Sequence, residues 1–147
     1  MAKLKVSSGA DVVINIADFE DADEVSILIQ QELSKGSLNL AGIKKEDLAG
    51  GIGGLDLSVV EPLIKSFLAV SGSREVRDAI FKCLSRCLYN GEKITKETFN
   101  PAEARADYYE IVFECLKVNL SPFFTGLASK FGILELLTEN LNSQKSE

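Results

Sequence analysis

Residues 73–91, SREVRDAIFKCLSRCLYNG, set the reading of the fold. Val76, Ala79, Ile80, Cys83, Leu84 and Cys87 recur at the three- and four-residue spacing that stacks side chains on one face of an α-helix. Ser73 stands where an N-cap side chain accepts from the first turn. Asn90-Gly91 offer the left-handed residue that closes a helix. The pattern predicts one helix from the Ser73 cap to Tyr89. Its two cysteines read as small buried apolar residues, as does Cys115. An odd total of three cysteines with no CxxC pair argues against a disulfide framework.

Towards the C-terminus, a polar link EKITKETF leads to NPAEARADYYEIVFECLKVNLSPFF at 100–124. Asn100 is a good N-cap, Pro101 suits the first helical position, and Glu103 completes capping-box spacing. A helix of about twenty residues, roughly 30 Å long, is expected. Ser121-Pro122 is expected to stop it and to start another, PFFTGLASKFGILELLTENL, with Gly126 and Gly132 as weak points. The polar end, 141–147, is expected to be flexible.

Towards the N-terminus, Ser58 and Glu61 have capping-box spacing, and Val60, Leu63, Ile64, Phe67 and Leu68 form a stripe, with Pro62 near the helix start. Residues 36–57, GSLNLAGIKKEDLAGGIGGLDL, form a glycine-rich connection without sustained periodicity, of the length that is often functional. Phe19, Ala22, Val25, Leu28, Ile29 and Leu33 predict a helix capped by Asp18 and closed near Lys35-Gly36. Val12-Val13-Ile14-Asn15-Ile16 is β-branched but isolated, and residues 1–10 read as a flexible end. The sum is an all-α fold: a single helical domain over 1–147 with about five helices, leaving room for a short N-terminal β element.

At 147 residues the chain has the length of one domain. Hydrophobic residues at 46% and charged ones at 26% argue for a packed core and against disorder. The net charge of −6, with no basic run beyond Lys44-Lys45, leaves no footprint for nucleic acid or an anionic membrane. Asp11, Asn15 and Asp18 interrupt any apolar leader, and no eighteen-residue apolar stretch follows, so a cytoplasmic location is expected.

Catalytic signals are thin, since the chain has no histidine. Asp107, Glu110, Glu114 and Lys117 share one narrow sector of their helix, the arrangement of a solvated face. Cys83 and Cys87 are half a metal site without the other half. AGGIGGLD lacks the GK[ST] ending of a phosphate loop, and FEDADE lacks calcium-loop spacing. The expectation is no enzyme, with no catalytic, cofactor or metal residues.

The long C-terminal helix stands apart. Ala104, Tyr108, Ile111, Val112, Cys115 and Val118 form one apolar ridge; Tyr109, Phe113, Leu116 and Leu120 form a second beside it. Apolar residues over more than half the circumference mean burial on two sides. Either the helix is the centre of a five-helix bundle, or the second ridge is made for another chain. On that second reading Tyr109, Phe113, Leu116, Leu120, Phe123 and Phe124 are the partner-binding residues, because aromatics carry much interface energy.

DVVINIADFEDADEVSILIQQEL near the start, with ADYYEIVFECLKVNLSPFF, resembles the tail assembly chaperones of long-tailed bacteriophages and prophages over about residues 10–130. The resemblance implies a small helical cytoplasmic protein, absent from the finished virion, that coats the tape-measure protein, helps recruit tail-tube subunits and self-associates. In such phages a translational frameshift often yields an elongated form as well. Two further readings stay open: a structural virion or head–tail connector protein, and an enzyme using carboxylates or Cys87.

Overall fold

The computed structural model describes residues 2–35, 57–70 and 72–130. In chain order these form β1 (Ala2–Lys5), β2 (Asp11–Ile14), α1 (Phe19–Lys35), α2 (Leu57–Val70), α3 (Arg74–Leu84), β3 (Leu88–Tyr89), β4 (Glu92–Lys93), a 3-10 turn (Lys96–Phe99) and α4 (Ala102–Lys130). The all-α expectation is overturned. Four strands form one antiparallel sheet in the order β1-β2-β3-β4, so the fold is mixed α and β with helix the larger share.

The difference arises at Asn90-Gly91. Ser73 caps α3 as expected, its hydroxyl accepting from Val76 N at 3.2 Å, an interaction of about 1 kcal/mol. The helix then stops at Leu84 rather than Tyr89. Asn90 and Gly91 take φ of 50° and 83°, both positive, as a two-residue hairpin turn requires. They pair Tyr89 with Glu92 and Leu88 with Lys93. An Asn-Gly pair serves a helix stop and a hairpin equally well, and β2 decides between them. Val12 and Val13 pair with Tyr89 and Leu88. Asn90 N donates to Asp11 O at 2.8 Å, while Asn90 Oδ1 accepts from Asp11 N at 2.9 Å.

Residues 2–10, expected as a loose end, are β1 and its turn. Lys3 faces Val13 and Leu4 faces Val12 across the pair. Gly9, at φ 92°, closes the Ser7-Ser8-Gly9 loop, with Gly9 N donating to Val6 O and Val6 N to Ala10 O. Along β2, Val12 and Ile14 are buried and Asp11 is exposed, the alternation of a sheet with one face on the core.

The chain forms two compact units, one of Met1–Val25 with Ser73–Asn119, the other of Ser26–Gly72 with Leu120–Glu147. In the first, β2 shares the buried set with Ala22 and Val25 of α1, Ile80 and Leu84 of α3, and Ile111 and Val112 of α4. Phe99 stands edge-on to Tyr108 at 5.0 Å and to Phe81 at 6.0 Å, which ties the 3-10 turn to α3 and α4. In the second unit Ile29, Leu63, Ile64, Phe67 and Leu120 are fully buried. Each contributes about 1.5–3 kcal/mol as area removed from water.

Neither Pro62 nor Pro122 marks a helix boundary. Pro62 lies inside α2 rather than in its first turn, and α4 continues through Pro122 to Lys130 rather than stopping at Ser121. Burial of Leu116 and Leu120 just before the proline offsets the backbone bond it removes. The start of α4 is one residue later than expected: Asn100 is in the right-handed region, and Arg105 N donates to Pro101 O. Residues 36–56 and 131–147, with the expected glycine-rich connection and flexible end, lie outside the described residues.

Candidate partner-binding surface

Helix α4 is built as the sequence pattern requires, with apolar side chains on more than one face, and the structure treats the two ridges differently. On the first, Ala104, Tyr108, Ile111, Val112 and Cys115 are buried and Val118 is half-buried. On the second, Leu116 and Leu120 have no exposure, Phe113 and Phe123 are half-buried, and Tyr109 is 58% exposed. The Phe124 side chain lies outside the described residues. The six residues therefore do not make one open ridge. Tyr109 faces solvent, Phe113 is partly open, and two leucines belong to the protein's own interior.

Local contacts hold the open part in place. The Tyr109 ring meets Tyr108 edge-on at 5.0 Å, and Tyr108 in turn lies 5.7 Å from the Arg77 guanidinium. Lys117 Nζ sits 5.4 Å from the Phe113 ring centre while pairing with Glu114 at 3.1 Å. Other exposed apolar side chains escaped the sequence reading: Ile16 at 63%, Phe19 at 71% and Ile27 at 45%. Ile16 follows the inward-facing Ile14 at strand spacing, but β2 ends at Ile14 and the alternation ends with it. Phe19 fits the inward stripe of α1 on the wheel, yet it is the first helical residue, where the chain has not reached the core.

The acidic strip of α4 is not the solvated face its spacing suggested. Asp107 is fully buried. Its carboxylate accepts from Ser8 N at 3.0 Å, Ser8 Oγ at 2.5 Å and Tyr89 Oη at 2.9 Å. One turn on, Glu110 accepts from Ser7 N and Ser7 Oγ at 3.2 and 3.0 Å. Further along, buried Asn119 accepts from Ala17 N at 2.8 Å and donates to Cys115 O. Three polar side chains on one helix thus anchor the β1-β2 turn and the lead into α1. Asp18 stands at the N-cap position of α1 as expected, its carbonyl accepting from Ala22 N at 3.1 Å, while its carboxylate pairs with Arg86.

The cysteines are all buried. Burial pushes the Cys83 thiol up to about 12, with Asp21 adding to it. Contact with Cys87 at 4.0 Å, and then burial, hold Cys115 well above the usual thiol range. Among the described residues no group of three or more His, Cys, Asp and Glu is placed to hold a metal. No helix among them is long and apolar enough to cross a membrane.

A profile described as phage tail assembly chaperone protein, TAC, matches residues 15–132. This chain belongs to the phage tail assembly chaperone family. The matched span of this tail assembly chaperone contains Tyr109, Phe113 and all of α4. It leaves out β1 and β2, so the N-terminal hairpin of this chaperone lies outside the match. No curated protein and no solved structure matches the chain.

Proposed function

We propose that this chaperone is a non-enzymatic holding protein that binds the tape-measure protein during tail assembly and helps recruit tail-tube subunits. Several copies act together in the host cytoplasm, self-associating along the client, and none remains in the finished virion. The observation that supports this reading is the exposure of Tyr109 beside a half-open Phe113, on a helix whose neighbouring Tyr108, Ile111, Val112 and Leu116 are buried. Aromatic side chains offer contact area at low entropic cost, which suits repeated contacts with an elongated helical client. The acidic balance of −6 keeps a multi-copy complex soluble.

Co-expression with the tape-measure protein tests it. Tyr109→Asp changes a side chain that is more than half exposed, so the variant should fold, as circular dichroism and melting would verify. The expected result is that the client stays soluble with the unaltered chaperone and precipitates with the variant. Equal solubility with both proteins would remove Tyr109 and its ridge from the client interface.

A further inference from the structure

Beside the buried Asp107, and apart from the exposed aromatic, lies a cavity of about 390 Å³. Its walls come from the Ser8–Ala10 end of the β1-β2 loop, Tyr89-Asn90 of the second hairpin, Thr98, Pro101, and Glu103-Ala104 in the first turn of α4. The two hairpin segments are held by side-chain hydrogen bonds. Ser8 and Tyr89 hang from the Asp107 carboxylate, and Asn90 is bonded to Asp11. The volume falls in the range of small-ligand sites.

The chemistry of the walls is one-sided. Among the described residues no lysine or arginine lines the cavity. Glu103 lines the cavity and is exposed, with no ion pair among the described residues. Beneath the hydroxyls, Asp107 takes three hydrogen bonds and, among the described residues, no ion pair. Buried carboxylates are ordinarily matched by a cation, and this one is met only by hydroxyl and amide donors. The field at Tyr89 reflects the excess: Ser8's hydrogen bond lowers its phenol, but burial, Asp107 and Glu103 together raise it.

We infer that this cavity is a binding site for a primary ammonium or guanidinium group, with the Glu103 carboxylate as its ion-pair partner, acceptor oxygens of Ser8 and Tyr89 around it, and buried Asp107 supplying further negative potential. The group comes either from a lysine or arginine side chain of a partner protein or from a free polyamine. The site is independent of the Tyr109 surface and stands or falls separately from the client-holding role.

The test is an amide-shift NMR titration of the full chain with N-acetyl-lysine methylamide, N-acetyl-arginine methylamide and putrescine, with N-acetyl-norleucine methylamide as the neutral control. The expected result is saturable shifts at Gly9, Asn90, Glu103 and Ala104 for the cationic probes and none for the control. Glu103→Gln, an exposed change that leaves the fold intact, should weaken binding about fivefold, and high salt should weaken it further. Tighter binding of the amino-acid probes would assign the site to a protein side chain, and tighter binding of putrescine to a free polyamine. No shifts, equal shifts with norleucine, or unchanged affinity in Glu103→Gln would overturn the inference.

Discussion

Asp107 and Glu110 sit one turn apart on α4 and both accept from the Ser7-Ser8 turn, yet their burial separates them energetically. Asp107→Ala removes, at a fully buried position, the acceptor of three hydrogen bonds from the Ser8 amide and two hydroxyls, at a cost of about 3 kcal/mol. Glu110→Ala opens its partners to water and should cost less than about 1 kcal/mol. Urea unfolding of both variants checks the contrast, and equal losses would contradict it. A helical wheel puts the two carboxylates in the same sector and cannot rank them. What buries Asp107 is a turn a hundred residues away in sequence, which no local pattern announces. Cys83 adds a pH dependence at the same scale. Its folded pKa of about 12 lies above the ordinary 9, so the folded state keeps a proton that the unfolded chain releases. That stability is complete below about pH 9 and is lost as pH rises towards 12, on the order of a few kcal/mol in all. Cys83→Ala should therefore lose less stability than the unaltered protein between about pH 8 and 11, as urea midpoints would record. Parallel losses in the two proteins would assign the alkaline limb to other groups.

At the scale of elements, α1 and α3 could be read because their periodicity and the Ser73 cap are local facts. The sheet could not, because each of its strands is too short to carry a signal alone. β3 and β4 have two residues each, and β2 acquires its meaning only when Tyr89 and Leu88 pair with it. Asn90-Gly91 is therefore the junction on which the fold class turns. Gly91→Ala places a Cβ at φ 83°, which costs about 1 kcal/mol or more and should weaken the hairpin. Hydrogen exchange at Ile94 N, which bonds Cys87 O across the hairpin, should speed up in that variant more than exchange at Ile80 in α3. Uniform acceleration would mean the turn governs only global stability. Pro122 makes the opposite case, a residue that the helix tolerates. Pro122→Ala restores an amide donor within α4 at an exposed position, and a gain of about 1–3 kcal/mol is expected in denaturant melts. A loss would show that the proline shapes the helix for a purpose.

For the whole molecule, the wheel of α4 marks it as a helix with apolar residues on more than one side, and the stretches 11–33 and 106–124 together point to a tail assembly chaperone. The extent of the open surface was beyond the sequence's reach, because Leu116 and Leu120 are sealed while Ile16 and Phe19 are not. That distribution bears on how the proposed chaperone works. Among the described residues the large exposed apolar side chains are Ile16, Phe19, Ile27 and Tyr109, few for a stable obligate interface. One copy should thus hold a single client segment weakly, with a dissociation constant in about the micromolar range or above. Many copies on a long client would be held by avidity and lost as tube subunits cover the sites. The consequence is concrete: titration calorimetry with a single-site tape-measure fragment should give weak binding, a multi-site fragment should bind far more tightly, and mass spectrometry of purified virions should find no chaperone. Its presence at stoichiometric levels in the particle would instead make it a structural tail or head–tail connector protein, and tight single-site binding would remove the mechanism of release.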